Sequence, residues 1–251
     1  MKKERSTIEG TDPNLTGQPI ITNQMQPKGI MQGSPGIMKT VIQYKNYIYS
    51  ENPNEELKSS SGAIIRKQID TVSSSEALNK YYVFLQSKNG LKLVFKSESP
   101  GDIYSKGSKM NIKHIRSKNE EITALCPVYA RMDYSTTRFC CFCLPVPIPP
   151  RWKIIEEPHQ NFIGVIKQLS KYGCEIYDDR KNELYKIVNF VILKNGQEVA
   201  TIYKKNMSIG NNTPISENTY ELSFPSGAAK ESKIILIFAT MLIDLKNLEH
   251  E

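Results

Sequence analysis

Very little in this chain suits an enzyme. Its 251 residues include three histidines, His114, His159 and His250, and none sits in a metal or nucleophile motif. No glycine-rich phosphate loop, no His-Glu-x-x-His and no Gly-x-Ser-x-Gly occurs, so the commonest routes to phosphoryl transfer, metal-assisted hydrolysis and acyl-enzyme chemistry lack their side chains. His159 follows Glu156-Glu157-Pro158 and reads as a surface-loop bystander. Asp178-Asp179 before Arg180-Lys181-Asn182 reads as a solvated hairpin turn rather than a catalytic carboxylate pair. The single Trp152 suits a core plug or an interfacial anchor, with the core as the expectation. No covalent catalysis is expected.

Targeting signals are equally scarce. Met1-Lys2-Lys3-Glu4-Arg5 is followed by no apolar stretch of the secretory type, residue 2 is not the glycine that myristoylation needs, and Leu248-Glu249-His250-Glu251 is not a prenylation box. Five cysteines, unevenly spaced, do not make a disulfide framework, which suggests a reducing, cytoplasmic setting. No uninterrupted apolar run approaches the roughly 20 residues of a spanning helix.

What the chain does have is crowded. Cys140, Cys141 and Cys143 fall within four residues, next to Phe139, Phe142 and the proline-rich stretch 144–150, and no acidic residue occurs between Tyr134 and Ile155. Crowded cysteines beside apolar side chains invite S-acylation, and two chains suffice for stable anchoring. Arg131, Arg138, Arg151 and Lys153 would then meet anionic headgroups. Two other readings stay open: inert loop cysteines, or a CxxC metal or redox pair drawing on Cys126. Cys126 and Cys174 otherwise read as buried small hydrophobes. A net charge of +7 and a pI near 9.0 favour anionic partners or simply solubility. The basic run from Lys106 to Lys118 is interleaved with Met110, Ile112 and Ile115, which suits a half-buried strand better than a nucleic-acid stripe.

Residues 1–37 are rich in Gln, Pro, Gly, Thr and Asn. Such a segment cannot bury enough surface to offset its ordering entropy, so it is expected to be a disordered tail, a place to recruit protein partners. Residues 38–251 then show short β-type runs. Two pairs flank turn signals: 81–85 and 91–95 around Asn89-Gly90, and 190–193 and 199–202 around Asn195-Gly196. Further strands are expected over 110–115, 122–125, 153–155, 162–168, 174–177, 184–188 and 220–224. Many short strands at close spacing predict an all-β sandwich or barrel. One helix is expected at about 232–245. Its charge-free core, residues 234–243, carries Ile234, Ile235, Leu236, Ile237, Phe238, Met241, Leu242 and Ile243, bracketed by Lys233 and Asp244. A segment apolar on all sides belongs in a protein core or a bilayer. Ten residues favour the core, and β-branched isoleucines leave a strand open.

The order of these features resembles the phospholipid scramblase family, which shares the tubby-like fold. The resemblance runs through Asn79-Lys80-Tyr81-Tyr82-Val83, Asn89-Gly90 with Val94-Phe95, the cysteine cluster, Ile163-Gly164-Val165-Ile166-Lys167-Gln168 and Ile176-Tyr177-Asp178. It continues through Gly196-Gln197-Glu198-Val199-Ala200-Thr201-Ile202 and Tyr220-Glu221-Leu222-Ser223-Phe224-Pro225 to the terminal apolar segment. It covers roughly residues 38–251, and no single motif is decisive; the collinearity is the specific signal. It implies a closed antiparallel tubby-like β-barrel around a hydrophobic C-terminal α-helix, palmitate on Cys140, Cys141 and Cys143, and attachment to the cytoplasmic membrane face. It also implies ATP-independent, bidirectional, calcium-stimulated movement of phospholipids between leaflets. The family's acidic calcium segment matches 216–227 here. Ser216 and Gly227 stand where it carries its first and last acids, Asn218 is an uncharged third position, and Glu217 and Glu221 are out of register. Calcium control is therefore expected to be weak or absent. The alternative expectation is a palmitoylated, membrane-tethered module that binds lipid or protein without transport. A DNA-contacting regulator has only Lys204-Lys205 in its favour, and nucleic acid is not an expected partner.

Overall fold

The computed structural model describes residues 47–69, 79–99, 104–105, 107–123, 126–135, 149–207 and 217–248. The 1–37 tail lies outside them. The elements begin with a short helix, α1 (Pro53–Ser59). Five strands follow, β1 (Gly62–Ile69), β2 (Asn79–Ser87), β3 (Gly90–Ser99), β4 (Lys109–His114) and β5 (Val128–Ser135), with α2 (Lys118–Thr123) between the last two. Then come β6 (Arg151–Glu156), β7 (Asn161–Ser170), β8 (Gly173–Asp178), β9 (Glu183–Val188), β10 (Val191–Lys194), β11 (Gln197–Met207) and β12 (Glu217–Ser223). The last described element is α3 (Lys230–Leu248).

The strands form a closed antiparallel meander in which each pairs with its sequence neighbours, and β1 pairs with both β2 and β12. Closure removes the exposed edges that an open sheet would offer to other chains. The Asn-Gly signals act as expected: Gly90 has φ 100°, and Asn195 and Gly196 have φ 52° and 77°. Strand alternation puts residues such as Ile65, Ala130, Ile154, Ile166, Ile176 and Ile187 in the core with no exposed surface.

The helix is that core's axis. Ile235, Leu236, Ile237, Phe238, Ala239 and Met241 are completely buried, and Ile234, Leu242 and Ile243 nearly so. These positions cover every face of a 3.6-residue helix, which is possible only where walls surround it. The Thr240 hydroxyl donates to Leu236 O at 2.9 Å, so the one polar side chain in the run is satisfied within the helix. Among the described residues no helix is long and apolar enough to cross a membrane. Gly164 brings β7 close to the axis: a Cβ there would overlap the Tyr177 carbonyl oxygen and lie 2.7 Å from Ile235 Cδ1. Gly164→Ala is expected to cost about 1–3 kcal/mol through overpacking. An unchanged denaturation midpoint would mean that the helix has room to shift.

Two sequence expectations need correction. Residues 122–125 were expected as strand, but α2 extends to Thr123 and residues 124–125 lie outside those described. The reason is local: Ser117 Oγ accepts from Glu120 N at 3.4 Å while Glu120 Oε2 accepts from Arg116 N at 2.9 Å, which resembles a capping box with the glutamate reaching one residue beyond the cap. Phe190, expected as the first residue of a strand, is instead a turn residue with φ 68°. A second, smaller apolar cluster sits on the outer wall. Phe84, Leu93, Ile115 and Cys126 meet Tyr47 and Tyr49, with the Tyr47 and Phe84 rings 4.8 Å apart.

Candidate functional site: the two ends of the barrel

In an up-and-down meander alternate connections share a rim. The links β1–β2, β3–β4, β5–β6, β7–β8, β9–β10 and β11–β12 therefore leave from one end, and α1 and the start of α3 belong to the other. Cys140, Cys141 and Cys143 lie outside the described residues, but the segment that carries them departs from Ser135 and returns at Arg151, both at the first end. This end is called the β5–β6 rim below, and the opposite one the α1 rim.

The rims differ in charge. Near the β5–β6 rim stand Lys80, Lys109, Arg151, Lys153, Lys167 and Lys171, with Glu98, Asp133 and Glu175 as acids near them. Each acid is already engaged: Glu98 by Lys113 at 3.3 Å, Asp133 by Arg131 at 3.2 Å and Glu175 by Lys167 at 2.8 Å. The Lys167 hydrogen bond is the main reason why the Glu175 carboxyl sits below its ordinary pKa. Ser135, Arg151, Lys167, Glu175 and Lys186 form one row across five strands, so three bases share a single acid. Among the described residues Lys109, Arg151 and Lys153 make no ion pair. At the α1 rim the described residues form five ion pairs, Glu55 with Lys58, Glu56 with Lys92, Glu120 with Arg116, Glu156 with Lys230, and Glu157 with Arg131, which Asp133 shares.

Inside the barrel each end of α3 is fastened by polar contacts. At the β5–β6 rim end Asp244 is completely buried. Its Oδ1 accepts from Tyr220 at 2.7 Å and from Asn218 Nδ2 at 3.1 Å, and its Oδ2 accepts from Tyr81 at 2.7 Å. Lys67 Nζ lies 3.0 Å from Oδ2, with side chains on both sides fully excluded from solvent, as an ion pair whose angles fall short of a hydrogen bond. The ammonium also lies 5.7 Å from the centroid of the Tyr81 ring. Burial pushes the Lys67 pKa down against the opposing pull of Asp244, and burial, followed by the Asp244 charge, pushes that of Tyr81 well up. At the other end Lys233 Nζ donates to the carbonyls of Leu57 at 2.6 Å, Ser60 at 2.7 Å and Lys58 at 3.1 Å. A cation thus caps the C-terminus of α1, where the unpaired carbonyls and the helix dipole both favour it.

The described part of the 216–227 segment forms strand β12 and the turn after it; Ser216 lies outside the described residues. Glu217 belongs to the strand backbone. Asn218 points inward to Asp244, whereas Glu221 is exposed on the opposite face, 3.6 Å from Lys205. Strand alternation therefore separates the two side chains that the sequence grouped together. Among the described residues no cluster of three or more His, Cys, Asp and Glu side chains could hold a metal ion. Trp152, Cys174 and Cys126 are buried as expected, and burial pushes the Cys174 thiol up to about 12.

The sequence reading missed the Asp244 cluster. Its only trace was a lysine, Lys67, inside a run that otherwise suits a strand, and an aspartate closing an apolar helix. No family model matches this chain, and no curated protein matches it either.

Proposed function

We propose that this chain is a scramblase-family protein that acts in ATP-independent, bidirectional redistribution of phospholipids between membrane leaflets. In this reading it is held at the cytoplasmic face by palmitate on Cys140, Cys141 and Cys143, with membrane phospholipids as its partners. One observation carries the reading: a closed antiparallel barrel is wound around an all-apolar C-terminal helix, the architecture that the scramblase resemblance implied. Fold alone does not specify function, so the basic rim that anchors the cysteine-bearing segment supplies the chemical support. Calcium has a weaker claim, because Asn218 and Glu221 face opposite sides of β12.

A second reading is favoured by the same helix. A headgroup needs a polar path through about 30 Å of hydrocarbon, and α3 is enclosed by the barrel and fastened at both ends. A palmitoylated module that binds lipid or protein at the surface without moving lipid fits that enclosure.

Leaflet exchange of a fluorescent phospholipid in vesicles containing the purified full chain separates the two, with binding to the same vesicles measured in parallel. Exchange above that of protein-free vesicles is the expected result. Binding without exchange selects the tethered module, and neither binding nor exchange removes both. In cells, hydroxylamine or a Cys140→Ser/Cys141→Ser/Cys143→Ser variant is expected to release the protein from the membrane fraction. Retention through both treatments would remove the acyl anchor.

A further inference from the structure

We propose that the barrel meets an anionic bilayer end-on, through the β5–β6 rim, with the β7–β8 and β9–β10 turns as the part that enters the headgroup layer. The inference rests on the membrane-surface reading above and assigns it a face and a point of contact. Ser170, Gly173 and Val188 lie in one row across β7, β8 and β9, so the two turns sit side by side. The Asn189 amide donates to Tyr172 O at 3.1 Å and ties one to the other. Leu169 and Val188 are 42% and 39% exposed there, flanked by Lys171 and by the half-buried Tyr172 and Phe190. Apolar tips beside a lysine and amphipathic rings are the composition of an interfacial anchor, in which the apolar atoms enter the acyl boundary and the cation meets phosphate.

The backbone supports a rigid tip. The β9–β10 turn is Asn189-Phe190, with φ 48° and 68°, where the hairpin at the other rim has Asn195-Gly196. A bulky side chain in the left-handed region costs about 1–2 kcal/mol that glycine would avoid. Here Phe190 is held between Tyr172, 5.4 Å away, and Tyr220, 6.5 Å away. Stacking against fixed rings keeps the strained residue in place and the turn well defined. Charge selects the partner: among the described residues the cations near this rim exceed the acids, and Glu98, Asp133 and Glu175 already have basic partners, whereas bases and acids at the α1 rim form five ion pairs.

The α1 rim provides a matched control, since Phe162 is 41% exposed there. Val188→Trp and Phe162→Trp chains, compared in vesicles of phosphatidylcholine and phosphatidylserine carrying brominated acyl chains, report which rim enters the lipid. The native Trp152 is buried and gives a constant background. The expected result is a blue-shifted, bromine-quenched emission for Val188→Trp and none for Phe162→Trp. Lys171→Glu is expected to weaken binding to these vesicles about fivefold or more, and to leave thermal stability unchanged. Quenching at 162 instead of 188, or at neither position while the chain still pellets with the vesicles, overturns the orientation alone. A chain that does not bind the vesicles at all overturns the membrane-surface reading as well.

Discussion

Asp244→Ala is expected to destabilise the protein by about 3–5 kcal/mol, the range for removing one partner of a buried ion pair. The loss exceeds that of a simple cavity because one carboxylate satisfies several donors at once. Without it the hydroxyls of Tyr81 and Tyr220, the amide of Asn218 and the ammonium of Lys67 all lose the carboxylate they converge on. Lys67→Met is expected to cost less, since the carboxylate keeps three neutral donors. The pH dependence gives the cluster a signature that a packing defect lacks. Burial lowers the Lys67 pKa from its ordinary 10.5, and Asp244 opposes that. In the wild type the native state already releases this proton before the unfolded chain does, and in the alanine variant, without the opposing carboxylate, it does so earlier still. The unfolded state then binds more protons, and stability rises with pH, more so in the variant. In the wild type, Tyr81 acts in the opposite direction: its raised pKa keeps the native state protonated, so its contribution is complete below pH 10.0 and is lost above it. Both effects narrow the gap between the two proteins in alkali. Urea titrations at neutral pH and near pH 10.0 test this, and a gap that stays constant or widens would sink it.

Lys233→Met is expected to cost about 2–3 kcal/mol, because the buried Ser60 carbonyl loses its charged donor and the Leu57 carbonyl keeps only the Ser60 hydroxyl at 2.9 Å. The damage should concentrate in α1. At seven residues that helix is too short to persist without tertiary support, although Asn52 caps it by accepting from the amides of Asn54 and Glu55 at 3.1 and 3.3 Å. Hydrogen exchange is the measurement. The α1 amides, including Ser60 N bonded to Glu56 O, should lose protection while the strand amides of β7 and β8 keep theirs relative to global stability. Full protection of α1 in the variant would mean that Leu57 packing and the contacts of Asn54 and Glu56 hold the helix without the lysine.

The wall of the barrel was more legible than the contacts that fasten its axis. Asn89-Gly90 and Asn195-Gly196 announced hairpins because their backbone needs are written in the residues themselves. Asn189-Phe190 carries no such signal, since its left-handed turn is stabilised by Tyr172 and Tyr220, which are distant in sequence. Strand β1 was missed because Lys67 reads as a solvent-facing residue until its partner Asp244 is known. Lys233 and Asp244 looked like polar brackets that stop an apolar run at water, and both are buried. Local patterns report the backbone and the side of a strand; they carry no information about which distant side chain makes a buried charge tolerable.

The closing seam of the barrel has a consequence for how the protein is made. Residue 62 pairs with residue 223, and the helix that fills the interior follows that pairing in the chain. A ribosome therefore releases eleven strands before the one that closes the ring, and the filling comes last. Until then the nascent sheet has an uncovered apolar face and two unpaired margins, the condition in which chains adhere to one another or to a chaperone. Residues 234–243 are enclosed only when β12 is paired with β1, so docking of the helix and closure of the seam are coupled. A chain released just short of residue 230 would carry every strand of the wall and nothing to close around.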